Sequence, residues 1–266
     1  MNNTLKLAVQ AAIHGGSEIM KVYRGSDFAV EYKEDDSPLT IADKKCNAII
    51  NDYLRDTGIP IISEENRQLP FEERKDWETC WIVDPLDGTK EFVKRNGEFT
   101  VNIALVSSGR PLLGVIYVPD SRELYLADVA EGFAGKLQLQ DHHINWESVD
   151  WAAARIEPAE RNLEKVRVVG SRSHMNEATE KFVASLSDKY QEVEIVSKGS
   201  SLKFCLVAEG KADLYPRYAP TMEWDTAAGQ AICEAVGLQV ISQETDAPLL
   251  YNKENLLNPW FLVRGQ

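Results

Sequence analysis

The chain has 266 residues, 44% hydrophobic and 27% charged, which suits one large folded domain or two packed halves. A formal net charge of −13 excludes a nucleic-acid polymer as partner, because such binding needs a basic surface. No apolar run is long enough to cross a bilayer, Met1 to Lys6 lacks the features of a secretory signal, and Cys46, Cys80, Cys205 and Cys233 form no paired motif, so reduced cysteines and a cytoplasmic location are expected.

From the N-terminus, Leu5, Ala8, Val9, Ala12, Ile13, Ile19, Met20 and Tyr23 recur with helical spacing and predict a helix over 3–23. Phe28, Val30 and Tyr32 alternate like a short strand, and a second amphipathic helix is predicted over 40–55. Ile59 to Ile62 forms a short apolar strand ending at Ser63, Glu64 and Glu65. Trp81 to Val83 reads as a buried strand that stops at Asp84, followed by a turn through Pro85, Leu86, Asp87 and Gly88. The alternating segments that follow, from Phe99 to Lys136, predict an antiparallel meander.

Residues 138–165 are polar and carry little pattern, so they are expected to hold the connection between two halves, 1–150 and 151–266. The later texture is strand, helix, strand, helix: Val166 to Val169, Glu177 to Leu186, Val193 to Val196 and Ser201 to Glu209. A helix from Asp225 to Val236, stopped by Gly237, precedes a strand from Leu238 to Ile241. The fold class is α+β, with an antiparallel sheet in the first half and a mixed sheet between helices in the second.

Carboxylates recur at the ends of these elements. Pro85 fixes its own φ and restricts Asp84, so Asp84 and Asp87 should point in defined directions. Hard divalent cations take oxygen ligands, and Mg²⁺ is usually held by one or two carboxylates with waters and substrate phosphates. Each acid also has a plainer reading. Asp84 and Asp87 fit a turn; Asp43, three residues after Thr40, fits a capping box; Glu64 and Glu65 fit a solvated pair; Asp225 fits a helix N-cap. The strongly acidic balance adds a constraint, since a small phosphate ester would be repelled unless bound cations reversed the local field.

Ser63-Glu64-Glu65, Trp81 through Thr89 and Trp224 through Gly229 resemble the motifs of the inositol monophosphatase superfamily, and their order spans most of the chain. The resemblance implies a layered α-β-α-β-α sugar-phosphatase-like fold and a Mg²⁺-dependent, lithium-sensitive phosphatase with two or three ions per site. Asp87 to Leu105, Gly199 to Gly210 and Leu214 to Arg217 look most like the bacterial 3′(2′),5′-bisphosphate nucleotidase branch. That branch removes the 3′-phosphate of adenosine 3′,5′-bisphosphate, a by-product of sulfate assimilation. Lys90 and Glu91 replace the Thr-Asn usual in inositol phosphatases and point away from an inositol substrate.

The resemblance implies roles for matching positions. Glu64, Asp84 and the Leu86 carbonyl would hold one Mg²⁺; Asp84, Asp87 and Asp225 would hold another. Thr89 and Glu64 would position the attacking water, with Asp43 holding Thr89. Gly88 and Thr89 begin a short helix whose N–H groups can face the phosphate, so Glu64, Leu86, Asp87, Gly88, Thr89 and Asp225 would all lie against substrate. The second phosphate or the base would meet Ser171, Arg172, His174, Lys198, Lys203 or Arg217, of which Arg217 is preferred because arginine binds phosphate bidentately and stacks on bases. Lys203 also fits a solvated charge on a helix.

The expected partner is a small-molecule nucleotide, with the protein a monomer or homodimer; attachment to the inner membrane face finds no basic amphipathic segment to support it. Ser200 to Lys203 matches a Ser-x-x-Lys pattern, but the companion motifs of penicillin-recognising enzymes are missing. His14, His142, His143 and His174 show no zinc-ligand spacing. Inositol monophosphate and fructose 1,6-bisphosphate are the competing substrates, and a non-catalytic nucleotide- or metal-binding module is the alternative of a different class.

Overall fold

The Asn2 side chain accepts the Thr4 N–H and starts helix α1 (Asn3–Tyr23), whose stripe from Leu5 to Met20 is buried. In this computed structural model, residues 2–25, 30–32, 38–160, 162–170 and 175–265 are described. Strands β1 (Val30–Tyr32) and β2 (Pro38–Thr40) pair antiparallel, and Phe28 lies outside the described residues. Helix α2 (Ile41–Arg55) opens with the expected capping box, in which Thr40 Oγ1 accepts the Ala42 N–H and Asp43 accepts the Thr40 N–H.

Six strands then build the central sheet: β3 (Ile61–Ser63), β4 (Thr79–Asp87), β5 (Thr100–Ser107), β6 (Arg110–Val118), β7 (Glu123–Asp128) and β8 (Phe133–Gln138). They lie in sequence order; β3 runs parallel to β4 and every other pair is antiparallel. Short helices α3 (Phe71–Arg74) and α4 (Thr89–Val93) flank β4. Nearly every residue of β4 and β5 is buried, because helices cover both faces of the sheet. Helices α1 and α2 lie on one face, over a core that includes Ile13, Ile50, Trp81, Val83, Phe99 and Tyr117.

A one-turn 3₁₀ helix (Trp146–Ser148) and α5 (Trp151–Ala154) break up the stretch that showed no pattern in sequence. Beyond it come β9 (Lys165–Gly170), α6 (Glu177–Leu186), β10 (Glu192–Ser197), α7 (Leu202–Ala208), β11 (Tyr215–Arg217), α8 (Glu223–Ala235), β12 (Gln239–Ser242) and β13 (Phe261–Arg264). Strands β9 and β10 are parallel, whereas β11, β13 and β12 form an antiparallel ladder. A parallel bridge between Val168 and Leu214 joins the two groups into the mixed second sheet. Helices α7 and α8 fill the space between the sheets, sharing one core that joins Ile82 and Ile116 to Phe204, Ile232 and Phe261. Helix α6 packs on β11, and Leu186 joins Val166 and Val168 in a small outer core. The layers are therefore α-β-α-β-α. Among the described residues, no helix is long and apolar enough to cross a membrane.

Two local readings change. The strand beginning at Trp81 does not stop at Asp84; β4 continues to Asp87 through an irregularity against β5. Asp84 faces Asn102 and Asp87 faces Thr100, so Pro85 and Leu86 together oppose Val101 alone. This is a β-bulge, a position that tolerates proline because the missing N–H belongs to an unpaired residue. Asp225 is not the N-cap of its helix either: α8 starts at Glu223, and Asp225 occupies the third helical position, where it accepts the Met222 N–H at 2.8 Å.

Close approach of α8 to the sheet depends on Gly114 in β6. A Cβ there would stand 2.5 Å from the Ala228 carbonyl oxygen and 2.7 Å from the Ala231 Cβ. Backbone, not a flexible side chain, blocks the space. Gly114→Ala should therefore destabilise the fold by about 2 kcal/mol, as overpacking of a tight core does. Displacement of the helix carrying Asp225 should also lower activity. Chemical denaturation together with an activity assay reads both effects; an unchanged midpoint would show that α8 is not held this close.

Candidate active site

The bulge in β4 decides where its acids point. Side chains three apart on a regular strand face opposite sides of the sheet, whereas one extra residue returns them to the same side. Asp84 and Asp87 accordingly converge, and Asp225 approaches from the first turn of α8; one carboxylate oxygen from each lies within 4.8 Å of the others. Asp84 is 1% exposed, with Oδ1 accepting the Leu86 N–H at 3.0 Å.

Burial raises the pKa of Asp84 well above the usual carboxylate range, and the charges of Glu64, Asp87 and Asp225 raise it further. Burial, then repulsion from Asp87, lifts Asp225 to about 7. Carboxyls crowded this way resist ionisation unless a cation joins them. A set of hard oxygen donors with no imidazole or thiolate fits Mg²⁺ or a similar dication and not zinc.

Glu64 follows β3, its N–H bonded to the Val83 carbonyl at 3.1 Å. It stands outside the mutual triad and hydrogen-bonds to Asp84. An amide network sets that loop. Asn47 donates to Asn66, Asn51 donates to Asn47 and Asn66, and the Ser63 hydroxyl donates to Asn47 Oδ1 at 2.8 Å.

Gly88 carries the chain from β4 into α4 with φ of 90°, a conformation that suits glycine, and a Cβ there would meet the Glu98 carbonyl at 3.2 Å. The Thr89 hydroxyl then lies 3.3 Å from the Leu86 carbonyl oxygen and 3.4 Å from Asp43 Oδ1. Asp43 thus serves its own helix cap through one oxygen and reaches the site through the other. Burial raises its pKa to about 6.

Two cations lie near Asp87 and Asp225. Lys203, in α7, is partly buried and not a freely solvated charge; burial lowers its pKa to about 8, and Asp87, Arg217, Glu91 and Glu98 act on it. Its Nζ donates to the Ser200 carbonyl at 2.8 Å. Arg217 ends β11 and donates to the Pro220 carbonyl, while its Nε is buried without a hydrogen-bond partner. Lys198 turns instead to Glu98, 3.4 Å away. Ser171, Arg172 and His174 lie outside the described residues.

Sequence reading passed over a buried polar group behind the acids. Ser201 Oγ lies 2.8 Å from Asp87 Oδ2 and 2.9 Å from Asn102 Nδ2, and Asn102 in turn accepts the Thr100 hydroxyl at 2.9 Å. The signal was an asparagine inside the apolar run Val101 to Leu105, together with the Ser-x-x-Lys match considered only as a nucleophile pattern.

Comparison with known proteins adds an independent line. The inositol monophosphatase family model matches residues 1–259. The chain is 43% identical over 263 residues to the 3′(2′),5′-bisphosphate nucleotidase CysQ of Salmonella typhimurium, covering 97% of this chain and 98% of that protein. It is 44% identical over 258 residues to the Escherichia coli K12 protein of the same name, covering 96% of each. The crystal structure of CysQ from Bacteroides thetaiotaomicron, 47% identical, superposes with a TM-score of 0.87 over 99% of this chain and 97% of that one.

A pH dependence follows from the crowded acids. The folded-state pKa values of Asp43, Asp84 and Asp225 lie above the unfolded ones, so the folded protein holds the extra protons, and stability falls as pH rises through that window. In chelator, the melting temperature should fall from about pH 5 to about pH 7. Asp84→Asn, which keeps an oxygen to accept the Leu86 N–H, should raise it at neutral pH by roughly 3 °C. Thermal denaturation in EDTA tests both; a flat pH profile with an unaltered variant would mean that the charges are not in conflict.

Proposed function

The chain belongs to the inositol monophosphatase family, and on that premise we propose that it hydrolyses the 3′-phosphate of adenosine 3′,5′-bisphosphate to AMP and phosphate, using Mg²⁺. It is a phosphatase of that family. The observation that carries the nucleotide reading is identity of 43–44% to bisphosphate nucleotidases across nearly the whole length of both partners. The Lys90-Glu91 pair, where inositol phosphatases usually have Thr-Asn, supports the same choice. The 3′-phosphoadenylyl sulfate analogue is a candidate second substrate.

Asp84, Asp87, Asp225, Glu64 and the Leu86 carbonyl are assigned to hold two Mg²⁺ ions, in keeping with the oxygen-only donor set. When bound, the ions supply charge neutralisation for the phosphate and activation of water. The protein's own groups orient the reactants. The Thr89 hydroxyl has two acceptors at 3.3–3.4 Å, the Leu86 carbonyl and Asp43, for its single proton, so its lone pairs are left to accept from a water. Glu64 is assigned to share that water. The water oxygen forms the new bond to phosphorus as the bond to the 3′ oxygen breaks; one of the water's two protons ends on the leaving oxygen and the other stays with the phosphate. No side-chain nucleophile is required, since phosphoryl transfer asks mainly for positioning and charge stabilisation.

Lys203 and Arg217 are assigned to the second phosphate and the base. Both bring positive charge to the side of the site near Asp87 and Asp225, in a protein whose net charge is −13. The four buried free cysteines support a reducing compartment, and we place the reaction in the cytoplasm. Clearing a by-product of sulfate assimilation is the purpose this substrate implies.

Two measurements test the reading. Steady-state kcat/KM should favour adenosine 3′,5′-bisphosphate over inositol monophosphate and fructose 1,6-bisphosphate, vanish in chelator and fall with lithium. Binding without phosphate release would instead mark a non-catalytic module. Asp87→Asn should lower kcat by more than the roughly 10–100-fold typical of losing a residue behind a metal ligand. Near-normal turnover in that variant would remove Asp87 from the assignment. Lys203 should be cationic below about pH 8, so KM for the bisphosphate should rise above that pH and Lys203→Met should abolish the rise. A KM profile identical in both proteins would exclude Lys203 from the substrate.

A further inference from the structure

Asp87 does not hold its position through β4 alone. Its Oδ2 faces Ser201, the residue before α7, which is 3% exposed and whose hydroxyl lies 2.8 Å away. The same Ser201 Oγ is 2.9 Å from the backbone carbonyl oxygen of Asp225 in α8. It is also 2.9 Å from Asn102 Nδ2 on β5, and that amide lies 3.5 Å from Asp87 Oδ2. Thr100 locks the asparagine, donating to its Oδ1 at 2.9 Å, and stands 3.3 Å from Ser200 Oγ. One buried hydroxyl therefore touches the elements that carry two of the three converging acids.

The donors and acceptors favour one arrangement. Asn102 Nδ2 can only donate, so Ser201 Oγ accepts from it. The lone hydroxyl proton then goes to Asp87 Oδ2, the charged and therefore stronger acceptor, with the Asp225 carbonyl as its second neighbour. This fixes Oδ2 of Asp87 as an acceptor and so restrains the rotation of its carboxylate. An asparagine and a serine with almost no exposure carry a desolvation cost that only completed hydrogen bonds offset. Apolar residues would fill the same space without that requirement.

We propose that Ser201, oriented by Asn102, is a positioning residue for the divalent-cation site: it aims Asp87 and ties the N-terminal turn of α8 to the strand that bears Asp84. This rests on the metal-site reading above. Groups behind metal ligands typically change affinity or activity by about 10–100-fold when removed.

The test reads Mn²⁺ binding to the substrate-free protein by calorimetry, alongside the melting temperature in EDTA. Ser201→Ala should weaken Mn²⁺ binding about tenfold or more while moving the metal-free melting temperature by less than about 2 °C. Ser201→Thr, which keeps the hydroxyl, should restore affinity, and Asn102→Ala should reproduce the loss. A plain packing defect would lower the metal-free melting temperature and would not be rescued by threonine. Affinity unchanged in Ser201→Ala, or a loss that tracks metal-free stability and persists in Ser201→Thr, overturns the assignment. A wild-type protein that binds no Mn²⁺ would overturn the metal-site reading and this inference with it, whereas equal binding by wild type and Ser201→Ala overturns this inference alone.

Discussion

Three carboxylates share one corner of this protein, and their mutual repulsion is the constraint from which the rest of the site follows. Asp84 is fully enclosed, Asp87 and Asp225 stand partly exposed beside it, and their charges make ionisation of Asp84 harder, as that of Asp87 does for Asp225. A chain selected only for stability would replace them with apolar residues of similar volume, since unneutralised buried charge is costly. Retaining the acids makes sense only with a ligand whose charge opposes theirs. The same logic accounts for an acidic enzyme acting on an anionic substrate: the overall field repels phosphate, and the proposed cations, with Lys203 and Arg217, invert that field locally.

The surrounding architecture holds the acids against that repulsion. The bulge at Pro85 and Leu86 turns Asp87 to the side of Asp84, and Gly114 lets α8 come close enough to the sheet to deliver Asp225. The buried ends of α8 and its neighbouring loop are anchored elsewhere too. Glu223, with no exposed surface, accepts the N–H groups of Asn252 and Lys253, and the Lys253 ammonium also bonds to it. Arg74 holds the same loop through the Asn252 side chain and the Glu254 carbonyl. Rigid support on several sides is what a site of like charges needs, because any slack would let the carboxylates separate.

Much of this was legible in the linear chain. Helical periodicity located α1, α2 and α6 almost to the residue, and the alternating runs after Phe99 gave the meander. The short elements α3, β11 and β13 escaped, being too brief for periodicity to rise above local composition. The capping-box reading of Asp43 and its reach to Thr89 turned out to be compatible, because a carboxylate has two oxygens and uses one for each.

By itself the sequence determined which residues were chemically suited to the task, since the acids, the proline and the glycines carry their preferences wherever they stand. It determined the α+β class as well, because periodicity reports which faces must be buried. Only the tertiary structure decided that Asp84 and Asp87 point the same way, that Asp225 caps its helix from the third position and not the first, and that Ser201 backs Asp87. Those outcomes depend on which strand opposes which and how closely a helix approaches a sheet. The bulge depends on how β4 pairs with β5, and the Ser201–Asp87 contact joins residues 114 positions apart, so no local pattern encodes either.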